Sequence, residues 1–248
     1  MRAGVYVRDK DIIDWAGVND DLRWWIGGHM DADGCVRMCP VNGLMVRIGK
    51  AENGWHCLVW LKKLLKGAIY DSTPENETEQ AMREWCLRGQ AALNFCRVIK
   101  DYCFLKKPQL IKGCEFVFGE LWMVQMKPVA ATNRSTGVYI ENPVKEDEAR
   151  ARRKRLEIEL SAMKHVEHLP IDIELPKPYI AGFVDGDGHL GASGSSAQCH
   201  AVSQKYIAIC EALKREYGGS IWRNPTTGVF QSLPMSSAVF VVTSGRCG

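Results

Sequence analysis

Ile26-Gly-Gly-His-Met-Asp-Ala-Asp-Gly34 returns as Ile180-Ala-Gly-Phe-Val-Asp-Gly-Asp-Gly188, 154 residues further along the chain. Nine positions with the same order of apolar, small and acidic side chains mark an internal duplication. The likeness extends outward. Leu61-Lys-Lys-Leu-Leu-Lys-Gly-Ala-Ile-Tyr70 matches Leu213-Lys-Arg-Glu-Tyr-Gly-Gly-Ser-Ile-Trp222 at an offset of 152, and Trp85-Cys-Leu-Arg-Gly89 aligns with Val241-Val-Thr-Ser-Gly245 at 156. The expected organisation is therefore two similar halves, 1–127 and 176–248, joined by a charged linker, 128–175.

Hydrophobic periodicity gives both halves one order of elements. In the first, a helix ends at Asp33-Gly34, strands follow at 35–39 and 44–50, then a helix at 54–66, strands at 67–73 and 79–88, and a helix at 90–104. The second reads helix 177–187, strands 189–194 and 199–204, helix 205–217, and strands 219–224 and 237–244. At an offset of 156 the last residue maps onto 92, so the final helix of the second half is expected to be missing. That would leave sheet surface uncovered and a poorly stable protein that associates.

The third and seventh positions of the two nonapeptides are Gly28 and Ala32, and Gly182 and Gly186. Residues four apart share a helix face, and a stripe this small lets two helix backbones approach closely. Two such helices are expected to pack on one another about a pseudo-twofold axis. Each ends in Asp-x-Asp-Gly, with the glycine stopping the helix, so carboxylates from both halves converge. Clustered carboxylates call for a cation, and a few hard oxygen donors suit Mg²⁺. An EF-hand does not fit: with Gly34 as the loop glycine, His29 and Pro40 stand at the first and last ligand positions, and with Gly188, Phe183 and Gly194 do.

Composition sets the class. The 248 residues are 46% hydrophobic, enough for a substantial core. No apolar run approaches the roughly 18 residues of a membrane span, and no targeting peptide is evident at the start. Ten cysteines without a C-x-x-C pair are expected to be reduced thiols of an intracellular protein, in a chloroplast or mitochondrion if the gene is organellar. A net charge of +3 does not announce a nucleic-acid binder, so that case rests on where charges sit.

The paired nonapeptides resemble the two signatures of the LAGLIDADG homing endonucleases in their single-chain, two-motif form, and the resemblance runs over nearly the whole chain. It implies an α+β fold, a pseudo-twofold duplicated αββαββα unit whose two antiparallel sheets form a DNA-binding saddle. It also implies a monomer that makes a metal-dependent double-strand break in a long, weakly palindromic target, as in intron homing. On the same resemblance Asp33 and Asp187 coordinate Mg²⁺ (or Mn²⁺), with Gly34 and Gly188 in the ligand set, while Asp31 and Asp185 orient the helix ends. Gln204, in Ala201-Val-Ser-Gln-Lys205, matches the family's active-site glutamine. Lys50 takes that place in the first half, and Lys106, in Phe104-Leu-Lys-Lys-Pro-Gln109, matches an active-site lysine. Gly27 stands where the family has alanine. His29 stands where it has an apolar residue and is read as a packed histidine.

Strand alternation assigns the DNA-reading side chains. Cys35, Arg37 and Cys39, with His189, Gly191 and Ser193, share the active-site side, joined by Arg47, Tyr70, Trp222 and Asn224. Arginine suits guanine edges, and Asn or Ser can also read bases. Within 146–160 the basic run reads as a solvated helix face, with phosphate contact by Arg152, Arg153 and Arg155 as the alternative. Partners are expected to be double-stranded DNA and no membrane. The rival functions are an RNA maturase acting on intron RNA and a cleavage-deficient DNA-binding remnant.

Overall fold

The computed structural model describes residues 13–39, 43–51, 54–72, 81–115, 143–165, 170–193 and 197–233. In chain order these form α1 (Asp20–Asp33), β1 (Gly34–Cys39), β2 (Gly43–Ala51), α2 (Trp55–Leu65), β3 (Ala68–Ser72), β4 (Met82–Arg88), α3 (Gly89–Ile99), α4 (Lys107–Cys114) and α5 (Pro143–Ala162). There follow α6 (Lys177–Asp187), β5 (Gly188–Ser193), β6 (Ala197–Gln204), α7 (Ile207–Tyr217), β7 (Ser220–Arg223) and β8 (Phe230–Leu233). The strands make two antiparallel four-stranded sheets, ordered β1-β2-β4-β3 and β5-β6-β8-β7. No helix among the described residues is long and apolar enough to cross a membrane.

Sheet register tests the duplication residue by residue. Gly34 pairs with Ile48 as Gly188 pairs with Val202, which keeps the offset of 154 through both hairpins. Tyr70 pairs with Glu84 as Trp222 pairs with Gln231, matching the expected 152. The third alignment is corrected: Lys50 pairs with Arg83 and Gln204 with Phe230, so β8 stands 147 residues after β4 and not 156. The cause is a short hairpin. Asn224 accepts the backbone N–H groups of Thr226 and Thr227 on its Oδ1 at 2.9 and 3.2 Å, its own N–H bonds the Val229 carbonyl, and Gly228 turns at φ 70°. This closed Asx turn brings the chain back at once. The strand expected at 237–244, and the helix whose absence was reckoned from the offset of 156, fall on residues outside those described.

By contacts the chain divides into two compact units, Met1–Val18 with Gly34–Asp101 and Lys106–Val166, and Asn19–Asp33 with Tyr102–Leu105 and Glu167–Gly248. α1, from the first half of the sequence, thus groups with the elements of the second half. In the first unit, Val36, Met38, Leu44, Val46, Ile48, Trp85 and Leu87 alternate onto one sheet face and are buried. Leu58, Leu61 and Leu65 form the buried stripe of α2, and Ala92, Phe95, Cys96 and Ile99 that of α3. α3 stops at Ile99, short of the expected 104, and a 3₁₀ turn, Lys100–Tyr102, follows. The charged helix α5 is not solvated all round: Arg153, Leu156 and Leu160, at i, i+3 and i+7, are buried, and Glu159 pairs with Lys112 of α4 at 2.7 Å. Burial at 2% exposure removes Arg153 from the candidate phosphate contacts, whereas Arg152 and Arg155 are exposed.

The second unit is organised by α1 against α6. A Cβ built at Gly28 would collide with the carbonyl oxygen of Tyr179, and one at Gly182 with that of Trp25. Gly28 and Gly182 are the same motif position, as are Trp25 and Tyr179 at 154 residues' separation, so the two clashes are mates about a local twofold axis. Further along, a Cβ at Gly186 would collide with that of Ala32. Contacts from 25 with 182 through to 32 with 186 mean that the helices run side by side in the same direction. Tyr179, Ile180 and Phe183 then join Val202, Ile209, Ala212 and Leu213 of the sheet and α7 in one core.

Because the obstacle at Gly28 and Gly182 is backbone, it cannot swing aside. Gly28→Ala or Gly182→Ala is expected to lower stability by about 2 to 4 kcal/mol, read as a fall in urea midpoint. Gly17, with nothing within 4 Å of its Cβ position, is the control whose alanine variant should match the parent.

Candidate active site

The first aspartates of the motifs join the helix pair by reciprocal bonds. The Tyr179 hydroxyl donates to Asp31 Oδ2 at 2.8 Å, and the Trp25 indole N–H donates to Asp185 Oδ2 at 2.9 Å. Each donor stacks on the aromatic ring one turn later, Trp25 on His29 at 5.0 Å between centroids and Tyr179 on Phe183 at 6.1 Å. His29, fully buried, thus occupies the place of Phe183 as a stacked ring, in agreement with its reading as a packed histidine. Burial first, and the Asp31 carboxylate second, hold the Tyr179 hydroxyl well above the ordinary tyrosine pKa, so it remains a donor.

Beyond this pair the mates differ. Asp31, 2% exposed, also accepts the backbone N–H groups of Phe104 and Leu105 on Oδ2, at 2.6 and 3.0 Å. Asp185 is exposed. The segment 102–105 lies along α1: the Tyr102 hydroxyl bonds Asp20 at 2.8 Å, Phe104 stacks on Trp24, and the Cys103 thiol reaches the Gly27 carbonyl at 3.4 Å. Positions 20, 24, 27 and 31 share one face of the helix. A Cβ at Gly27 would collide with the Tyr102 carbonyl, which accounts for glycine where the resemblance expects alanine.

Asp33 and Asp187 close the two helices. The space a Cβ would take at Gly186 lies 3.3 Å from Asp33 Oδ2, so the carboxylate of one helix borders the last turn of the other. The Gln204 amide donates to Asp187 Oδ2 at 2.5 Å, while Gln204 Oε1 accepts the Lys205 backbone N–H at 2.8 Å. The second bond decides which way the amide faces. Gly188, which follows Asp187, has φ −78° and ψ 145° and leads straight into β5. It does not stop the helix by a left-handed turn, as expected; its small size is needed because a Cβ would collide with the Val184 carbonyl.

Two carboxylates at helix C-termini, where the helix dipole also favours positive charge, suit a hard divalent cation. Among the described residues no three His, Cys, Asp or Glu side chains gather into a metal cage. An ion held by Asp33 and Asp187, with the neighbouring Gly34 and Gly188 backbone, would draw its other ligands from water and phosphate, which fits Mg²⁺ better than a soft metal.

Lys50 and Lys106 belong to the first compact unit. Lys50 is buried at the end of β2, at the register position that Gln204 holds in β6, and its carbonyl accepts the Trp55 indole at 3.2 Å. Lys106 caps the start of α4. On the sheet face opposite the core, register brings together Arg37, Arg47, Tyr70, Glu84 and Arg88. Arg37 and Tyr70 are exposed, Arg47 is ion-paired with Glu84, and the Arg88 guanidinium lies 5.0 Å over the Tyr70 ring. Glu84 and Arg88 escaped the sequence reading because β4 was not assigned a face; counting by two from the partner of Arg47 would have found them. In the second sheet, His189 and Ser193 keep register positions in β5 opposite Ala201 and Ala197, and Trp222, exposed, stands opposite Gln231. Cys39 keeps its register position opposite Gly43. Asn224 is a correction: it lies past β7, and its side-chain oxygen closes the hairpin.

No protein-family model matches the sequence, and no curated protein matches it. Solved structures do. The I-LtrWI LAGLIDADG homing endonuclease bound to target DNA is similar with a TM-score of 0.51 and 14% identity, over 86% of this chain and 78% of that one. I-SmaMI bound to uncleaved DNA target in the presence of calcium ions is similar at 0.46 and 16%, over 85% of this chain and 78% of that one. The first of these likenesses establishes the fold.

Burial, with the Glu211 and Asp187 carboxylates, pushes the Cys210 thiol from an ordinary 9.0 up to about 12. A raised folded pKa leaves stability intact below pH 9 and removes it as the unfolded thiol ionises, between 9 and 12. Urea midpoints should fall from pH 8 to pH 10.5, by on the order of 2 kcal/mol from this thiol alone. Cys210→Ala should show a shallower fall.

Proposed function

From a chain with the fold of the LAGLIDADG homing endonucleases, we propose a site-specific DNA endonuclease of that family, cutting both strands of a long target with a divalent ion at Asp33 and Asp187. The observation that carries this reading is the doubled motif itself. Its two helices pack backbone to backbone, in one direction, and bring the Asp33 carboxylate beside the last turn of the other helix, which itself ends at Asp187. A packing role alone is met by the glycines and by Asp31 and Asp185, and leaves Asp33 and Asp187 unexplained.

In this reading Asp33 and Asp187 bind the cation, and Gln204 holds one oxygen of Asp187 so that the carboxylate keeps a single orientation. The bound ion supplies charge neutralisation at the scissile phosphate and lowers the pKa of attacking water. Lys50 and Lys106 add positive charge on the first-half side. Arg37, Arg47, Glu84, Arg88 and Tyr70 read one half of the target, and His189, Ser193, Trp222 and Gln231 the other. The pairing of Arg47 with Glu84 places a guanine-reading and a cytosine-reading group side by side. Arginine and aromatic groups concentrated on one sheet face suit DNA in spite of the small net charge, because phosphate neutralisation is local.

The direct test uses a supercoiled plasmid carrying the uninterrupted allele of the gene that hosts the reading frame. The parent protein with Mg²⁺ should linearise it, and chelation should stop the reaction. Asp33→Asn and Asp187→Asn should each lower cleavage at least 1,000-fold while DNA affinity stays within about threefold. Full cleavage by either variant, or by the chelated parent, rejects the reading. Splicing assistance without cleavage would instead identify the RNA maturase.

In a second test, affinity for the target should fall at least tenfold between 50 and 200 mM salt. A flat response would reject the sheet faces as the DNA-binding surface.

A further inference from the structure

We infer that Asp31 is a positioning residue, whose buried carboxylate fixes the backbone that leads into Lys106. The inference takes its catalytic consequence from the proposed nuclease reading, and its geometry stands without it. One oxygen of Asp31 accepts three donors: the Tyr179 hydroxyl and the backbone N–H groups of Phe104 and Leu105. Lys106 is the next residue, and its carbonyl accepts the Leu110 N–H that opens α4. The segment is also held at Tyr102 by Asp20, at Cys103 by the Gly27 carbonyl, and at Phe104 by Trp24. These contacts hold its start and middle; the Asp31 pair holds its end.

The second copy shows which of these bonds belongs to helix packing. Asp185, in the same motif position, accepts the Trp25 indole in the bond that mirrors Tyr179 to Asp31. The bond between helices is therefore common to both halves. Asp31 is buried where Asp185 is exposed, and Gly27 lets the segment lie close enough for the two backbone bonds to form. Two consecutive amides on one carboxylate oxygen restrict the peptide planes on either side of residue 104, and so the direction in which the chain enters Lys106.

Two measurements test this. Amide hydrogen exchange on the whole protein, without DNA, should show Phe104 and Leu105 protected in the parent. In Asp31→Asn their exchange should rise at least 30-fold, with β2 and α7 unchanged. Equal protection in both proteins overturns the inference, whether or not the protein cleaves DNA. Single-turnover nicking then follows each DNA strand for Asp31→Asn, Lys106→Ala and the double variant. Both single variants should slow the same strand tenfold or more, and the double variant should be no slower than Lys106→Ala, because the two act as one unit. Multiplying effects, or equal slowing of both strands, would mean that Asp31 only stabilises the fold. Tyr179→Phe keeps both backbone bonds and should retain the parent's exchange at 104 and 105 and nick within threefold. It decides the matter if Asp31→Asn does not fold: opening of the segment in Tyr179→Phe overturns the inference. A parent protein that nicks neither strand rejects the nuclease reading, and leaves the anchor to be judged by exchange.

Discussion

The contact on which the second unit depends is that of one helix backbone with another. At Gly28 and Gly182 there is no room for a methyl group, because the carbonyls of Tyr179 and Trp25 occupy it. Protein interiors are packed at crystal density, and a clash with backbone is relieved only by moving a whole helix. The spacing of α1 and α6 is thereby fixed by contact of backbone with backbone. From it follow the stacking of Trp25 and Tyr179, the two bonds to Asp185 and Asp31, and the placing of Asp33 beside the last turn of α6.

A close helix pair brings acidic side chains into apolar surroundings, where an uncompensated carboxylate costs several kcal/mol. The two copies solve this differently. Asp185 stays exposed and accepts the Trp25 indole N–H, whereas Asp31 is buried and accepts the Tyr179 hydroxyl and the backbone N–H groups of Phe104 and Leu105. The duplication is therefore symmetric in its packing and unequal in the burial of its first aspartates. The same asymmetry accounts for Gly27, since the segment that supplies two of the donors to Asp31 passes where an alanine methyl would stand.

The sheets follow a separate logic. One face of each strand is committed to the core, which leaves the alternate residues free to carry chemistry. In the first sheet these include three arginines, a glutamate and a tyrosine in neighbouring cross-strand register. The cross-strand pairing of Arg47 with Glu84 neutralises one of these arginines, so the basic character of that face is patterned and not uniform. Net charge summed over the chain hides such a pattern, because an acidic residue elsewhere cancels a basic one without screening it.

Sequence by itself determined the duplication, the order of elements and the small-residue stripe. These rest on short-range periodicities, 3.6 and 2.0 residues, which a linear string displays directly. Gln204 came from the likeness of Ala201-Val-Ser-Gln-Lys205 to a segment of the LAGLIDADG homing endonucleases. Only the tertiary structure decided the equivalence of β4 with β8: the hairpin closed by Asn224 shortens one copy's connection, and loop length carries no periodicity. Burial of Arg153 and the three bonds of Asp31 were likewise invisible, the first because α5 hides only one stripe of a charged helix, the second because residues 31, 104, 105 and 179 meet across long separations. A pattern along the chain reports which face of an element is apolar. What that face touches depends on closure of the chain, and the side chains that meet there share no spacing.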